Sequence, residues 1–234
     1  MHTEAMIERL FETLISGDRA ATRNVVHQAE ESLGSAESVI TDLFWPTHQQ
    51  IDKLFRSDQL APLNHHLATR LLRVMVDQTS SRLKISPPRN RTIFSVCGPS
   101  ESEELGAQMA VDLLEAAGFH IFFAGGGVAP DEILSRVQED KPDVLLMFSS
   151  AAQDLPGIRE MIDRIREIGA CPNLQVAVGG GVFNRADGLA EEIGADIWAT
   201  SPLEMVDCLL GEPERRAAVN QRTVGRNRKK RVAA

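Results

Sequence analysis

From residue 92 onward the chain repeats one pattern five times: a short apolar run, a glycine- or serine-rich break, and a stretch of helical apolar spacing. The runs are 92–97, 120–123, 144–148, 175–178 and 197–199. Runs this short and this apolar are buried on both faces, which a parallel sheet covered by helices provides. Helical spacing follows each of them, at 103–117, from about 131, from about 157, at 186–193 and at 202–210. Five strand–helix units predict a flavodoxin-like, doubly wound, five-stranded parallel sheet over residues 92–211.

Every break falls where a strand ends: Gly98, Gly125–Gly127, Ser149–Ser150, Gly179–Gly181 and Thr200–Ser201. Ligands of such domains sit beyond the carboxyl ends of the strands, and glycine there lets a ligand approach the backbone. Tight turns alone account for one glycine triplet; two on one sheet edge point to a binding site. No Gly-Lys-Ser/Thr follows either triplet, so neither is a P-loop. Ser149 and Ser150 lack G-x-S-x-G context and a His-Asp pair, and no catalytic site is complete.

Residues 1–85 read instead as consecutive helices. Ile7, Leu10, Phe11 and Leu14 form an amphipathic stripe that ends near Gly17. Further helices are expected at 20–33 and 36–44, one opened by Pro46, and one from Pro62 to about Arg82. Short connections between them predict an up-and-down helical bundle. The segment 86–91 (SPPRNR) breaks both patterns and reads as the linker.

The net charge of −8 conceals a division within the chain. From Arg215 onward there are eight basic side chains and no acid, leaving 17 basic against 33 acidic residues before it. The segment 212–234 therefore reads as a disordered basic tail, open to contact with nucleic acid, an acidic partner or the acidic body. No apolar run is long enough for a membrane span, and the expected location is cytoplasmic. Cys97, Cys171 and Cys208 are far apart, which excludes a CxxC zinc site and favours reduced thiols.

Several segments together resemble the cobalamin-binding modules of methionine synthases, corrinoid methyltransferase proteins and cobalamin-dependent light-sensing regulators. They are LISGDRAA at 14–21, NHHLAT at 64–69, the helix from EELG at 103–106 to LLEAAG at 113–118, and GGGVF at 179–183, similar to the family's GGxxF turn. The resemblance spans roughly residues 5–210 and implies a helical cap on a flavodoxin-like domain. It places the family's DxHxxG cobalt-ligand motif on ESEELG at 101–106, with Glu103 where the histidine stands and Gly106 kept. Carboxylate is a harder donor than imidazole and a weaker ligand for cobalt. The SxL motif falls on Phe148 to Ser150, so phenylalanine narrows the slot for the cofactor's nucleotide tail. Of the light-sensing cap motif (Wx9EH), aligned on Phe55, Arg56, His65 and His66, only His66 matches, and photochemistry of that type is not expected.

What the resemblance implies for the site is a set of cofactor contacts at Glu103, Gly106, Gly125, Gly126, Ser149, Ser150, Gly179, Gly180, Phe183, Thr200 and His66. Of His48, His65 and His66, one at most is expected to reach the cleft, and Trp45 reads as a core or interdomain side chain. Glu101, Glu103 and Glu104 fit the favourable end of a helix dipole better than a cation site. The implied function is a noncatalytic module for cobalamin or another tetrapyrrole such as haem, acting as a sensor or regulatory partner. A ligand-free regulatory scaffold and a corrinoid methyl carrier remain the alternatives.

Overall fold

A computed structural model describes residues 2–217, without the side chain of His2. The bundle comprises α1 (His2–Ser16), α2 (Arg19–Leu33), α3 (Ala36–Ser38), a π-helical segment (Val39–Phe44), α4 (Trp45–Arg56) and α5 (Pro62–Ser80). Asp18 starts α2 by accepting from the Ala20 and Ala21 N–H groups at 3.1 and 2.9 Å. Gly34 ends it in the left-handed region, φ 76°, where glycine carries no steric cost.

The helices expected at 36–44 and after Pro46 are one continuous helix over 36–56. Pro46 has no N–H for the Asp42 carbonyl, which normally breaks a helix. Here the backbone widens into a π turn, and the Trp45 N–H reaches back to Ile40 O. Val39, Ile40, Leu43 and Phe44 have no solvent exposure, so burial of this segment offsets its poorer hydrogen bonding.

The second part contains β1 (Thr92–Cys97), α6 (Glu101–Ala116), β2 (His120–Gly126), α7 (Pro130–Asp140), β3 (Val144–Phe148), a 3-10 turn (Ala152–Asp154) and α8 (Leu155–Ile168). It continues through β4 (Gln175–Gly179), α9 (Gly181–Arg185), α10 (Leu189–Ile193), β5 (Ile197–Ala199) and α11 (Pro202–Gly211). The strands are all parallel in the order β2-β1-β3-β4-β5, the flavodoxin-like arrangement. Cys97, Phe148, Gly179 and Ala199 lie side by side, so four strands end flush and their loops share one rim. The helix expected at 186–193 starts only at Leu189, because Ala186 is extended and Gly188 turns left-handed at φ 79°.

Period-two alternation divides the sheet between two cores. Phe94, Val96, Leu145, Met147, Val176 and Val178 face α7, α8 and α10. Ile93, Val144, Leu146, Ala177 and Ile197 face α6 and α11, and that core continues without interruption into Leu10, Leu14, Phe44 and Leu72 of the bundle. The bundle and the sheet domain are therefore welded through shared apolar packing. The linker is pinned as well: Ser86 N–H donates to Ala116 O at 2.7 Å, and Arg91 reaches Leu209 O at 2.6 Å.

Residues 212–217, read from sequence as the start of the tail, pack on the sheet domain. Arg215 lies over the Trp198 ring at 4.4 Å, and the Ala217 N–H donates to Asp196 at 2.6 Å. The rest of the basic segment, 218–234, lies outside the described residues, as does any nucleic-acid contact it makes.

Candidate functional site

A cavity of ≈240 Å³ opens between α4, α6 and the shared rim of β3, β4 and β5. Its bundle wall is Trp45, His48, Gln49, Asp52, Lys53 and Arg56. These positions recur at intervals of three and four, so they form one stripe along α4. In the sequence Trp45, His48 and Arg56 stand out only singly, and the signal that joins them into a stripe is their helical spacing.

The opposite wall begins with Gly106, Ala107 and Ala110 of α6. A Cβ at Gly106 would stand 3.3 Å from His48 Cε1 and 3.7 Å from Trp45, so this glycine lets α4 approach α6. His48 Nε2 lies 2.9 Å from the Ser102 carbonyl, and because a carbonyl only accepts, that nitrogen carries the proton. Burial holds the His48 pKa below its ordinary value against the opposing pull of Asp52 and the Ser102 hydrogen bond, leaving a neutral imidazole. Its Nδ1 is buried without a hydrogen-bond partner.

Glu103 lines the floor, but its carboxylate is committed. It closes a capping box with Ser100, whose hydroxyl donates to Oε2 at 2.7 Å. Its Oε1 accepts from the Ser150 backbone N–H at 2.6 Å, tying α6 to the loop after β3. Neighbouring Glu101 faces His66 and Arg70, and Glu104 faces Arg73. Among the described residues no group of His, Cys, Asp and Glu is arranged to hold a metal ion. Burial pushes the Cys97 thiol up to about 12, so it is no thiolate nucleophile.

The remaining lining is the rim. Phe148 packs its ring 3.0 Å from where a Cβ at Gly179 would be, narrowing the cavity at the SxL position. Gly180 has φ +106°, and a Cβ there would meet Ser149 O at 2.3 Å, so the loops after β3 and β4 touch backbone to backbone. Ser149 Oγ lies 3.0 Å from Asp154, and Thr200 is held by Glu204 through both its N–H and its hydroxyl.

Of the residues proposed from sequence, Glu103, Gly106, Ser149, Ser150, Gly179, Gly180 and Thr200 line the cavity, and Gly125, Gly126, Phe183 and His66 do not. Gly125 and Gly126 lie at the end of edge strand β2, on the far side of β1. Gly126 sits at a register shift, where a Cβ would be 2.4 Å from Gly98 O, so that glycine serves strand packing. Phe183 belongs to the core on the sheet's opposite face. His66 is exposed beside Glu101, while His65 stacks on Phe55 at 3.8 Å, so only His48 of the three reaches the cleft.

A flavodoxin-like sheet whose glycine-lined rim is roofed by a helical bundle defines a two-part ligand-binding protein. The chain belongs to the B12 binding domain family, whose models match residues 91–207 and, for the helical part, residues 6–78. It is 23% identical over 208 residues to dimethylamine corrinoid protein 1 of Methanosarcina acetivorans, covering 88% of this chain and 96% of that protein. It is 23% identical to dimethylamine corrinoid protein 2 of Methanosarcina mazei, over 87% of this chain and 94% of the relative. The solved monomethylamine corrinoid protein of Methanosarcina barkeri superposes with a TM-score of 0.68 at 18% identity, covering 89% and 98% of the two chains. Family membership supports cobalamin as the ligand.

The residues present fit that ligand in part. Glycines, small residues and backbone groups suit contact with a planar ring system. No imidazole nitrogen is open to the cavity among the described residues, since both nitrogens of His48 are buried or bonded. The cavity would hold a cobalamin through these glycines, small residues and backbone groups, and among the described residues no imidazole nitrogen is placed to reach its cobalt.

Proposed function

We propose that the chain is a noncatalytic cobalamin-holding module that serves as a sensor or regulatory partner. The observation that carries this is Glu103: the residue at the cobalt-ligand position is spent on Ser100 and the Ser150 N–H. A bound cobalamin supplies a cobalt whose axial positions exchange small groups. This chain's part is to hold the ring against Gly106 and Gly179–Gly181 and cover it with the α4 stripe. The cavity of ≈240 Å³ is below the ~300–1,000 Å³ of pockets that enclose drug-sized ligands. Full entry of a tetrapyrrole thus parts α4 from the rim, which converts occupancy into a change of shape that a protein partner can read.

The test is titration of the purified chain with hydroxocobalamin, adenosylcobalamin and haem, followed by absorption. Cobalamin is expected to bind without the spectrum of a histidine-ligated cobalt, and Glu103→Gln, which keeps an acceptor for Ser100 and the Ser150 N–H, to change affinity by no more than about twofold. Absence of a spectral shift with all three, and of co-purified pigment, sinks the proposal and leaves the ligand-free scaffold. A second reading, a methyl carrier, is favoured by the near full-length likeness to corrinoid proteins. Transfer of a methyl group from a donor to the reduced, chain-bound cofactor distinguishes it.

A further inference from the structure

Three cations line the cavity, Lys53 and Arg56 from α4 and Arg185 from α9, so the two guanidiniums enter from opposite walls. Asp52 is their neighbouring carboxylate. Its Oδ2 accepts from Arg56 Nε at 2.9 Å, and its Oδ1 lies 3.4 Å from Ser102 Oγ. The other acid lining the cavity, Glu103, is bonded to Ser100 and the Ser150 N–H. Arg185 donates to the Ser150 carbonyl, which keeps its guanidinium over Gly181.

This arrangement leaves positive charge across the cleft. The Arg185 pKa is lowered first by burial and next by the charge of Arg56, with Asp52 only partly opposing. Two cavity-lining guanidiniums that repel one another are stabilised by an anion between them, and their planar forks match carboxylate and phosphate oxygens. The corrin side chains of cobalamin are neutral amides, and its fixed negative charge is the phosphodiester of the nucleotide tail.

We propose that Arg56 and Arg185 clamp an anionic oxygen group of the bound corrinoid, phosphodiester or free side-chain carboxylate, at the cavity mouth, joining bundle to sheet domain across the ligand. The clamp rests on the cofactor reading above and names the part of the ligand that the site selects.

The experiment compares three corrinoids on the full chain by absorption titration at low and high salt: hydroxocobalamin, cobyric acid and cobinamide. The first carries the phosphodiester, the second a free carboxylate, the third neither. The double variant Arg56→Gln with Arg185→Gln is titrated beside the native chain, with circular dichroism to establish that it folds. The favoured anionic corrinoid is expected to lose roughly 10- to 100-fold in affinity in the double variant, the range of charge-assisted hydrogen bonds. Cobinamide is expected to be unaffected within about twofold. Loss confined to hydroxocobalamin assigns the phosphodiester, and loss with cobyric acid assigns the carboxylate. Equal affinities in native and variant chains for all three overturn the clamp and leave the cofactor reading standing. If none of the three binds the native chain, the cofactor reading fails and the clamp fails with it.

Discussion

The His48 imidazole donates its Nε2 proton to the carbonyl oxygen of Ser102 at 2.9 Å, and this bond joins the bundle to the first turn of α6 beside the cavity. It lies at the edge of the shared apolar core, between the two surfaces that the proposed ligand entry would part. Its strength therefore bears on both stability and uptake.

Acid should loosen this seam. The pKa of His48 is lowered in the folded chain, so its contribution is full above about 6.5 and is lost as pH falls through the folded value. Unfolding midpoints measured between pH 7.5 and 5 should fall, and His48→Gln should flatten that part of the profile. His48→Ala should destabilise by roughly 2–4 kcal/mol through lost packing and loss of the hydrogen bond to Ser102 O.

Asp112 on α6 works in the opposite direction. Ser80 of α5 donates to its carboxylate at 2.5 Å, but burial pushes the pKa up to about 6, with Asp77 and Glu115 adding to the rise. A raised carboxyl pKa favours the fold below about 4 and costs stability as pH rises through about 6. Asp112→Asn should raise the urea midpoint at pH 8, by the equivalent of roughly 1–3 kcal/mol, and leave stability at pH 4 nearly unchanged.

Gly180, on the rim, and Gly127, off it, offer a paired test of close backbone packing. Both have positive φ, +106° and +75°, but a Cβ at Gly180 meets Ser149 O at 2.3 Å while one at Gly127 has open space. Gly127→Ala should cost about 1 kcal/mol from backbone strain alone. Gly180→Ala should cost ~3 kcal/mol or more and displace the loop after β3, which denaturant titration of both variants resolves.

Phe148→Ser should deepen the cavity where the Phe148 ring lies against Gly179. Removing a buried ring costs about 3–5 kcal/mol, so the variant should be measurably less stable. Its affinity for hydroxocobalamin should nevertheless rise relative to cobinamide, because the space admits a nucleotide tail. An unchanged ratio of the two affinities would show that the tail binds elsewhere.

The sheet was legible from sequence because β3 and β4 are apolar at every position but Gln175 and Gly179, and the breaks after them mark the rim. The glycine triplets were harder to tell apart. Gly179–Gly181 line the cavity and Gly125–Gly126 do not, because the difference lies in strand order, and β2 is an edge strand on the far side of β1. His66 looked like a site residue because it matched a motif, yet it faces solvent beside Glu101. The stripe from Trp45 to Arg56 carried a readable helical period. What hid it was Pro46, which invites a break where the backbone instead widens and continues.

That π turn sets the phase of everything beyond it. An α-helix advances about 100° per residue, so removing one residue between Val39 and Phe44 would rotate α4 by about that angle. Trp45, His48, Asp52 and Arg56 would keep their identities and turn together away from α6. The aim of the cavity's upper wall is thus geared to a short stretch that lies outside the cavity, and one insertion or deletion there could retune the site without touching any residue that lines it.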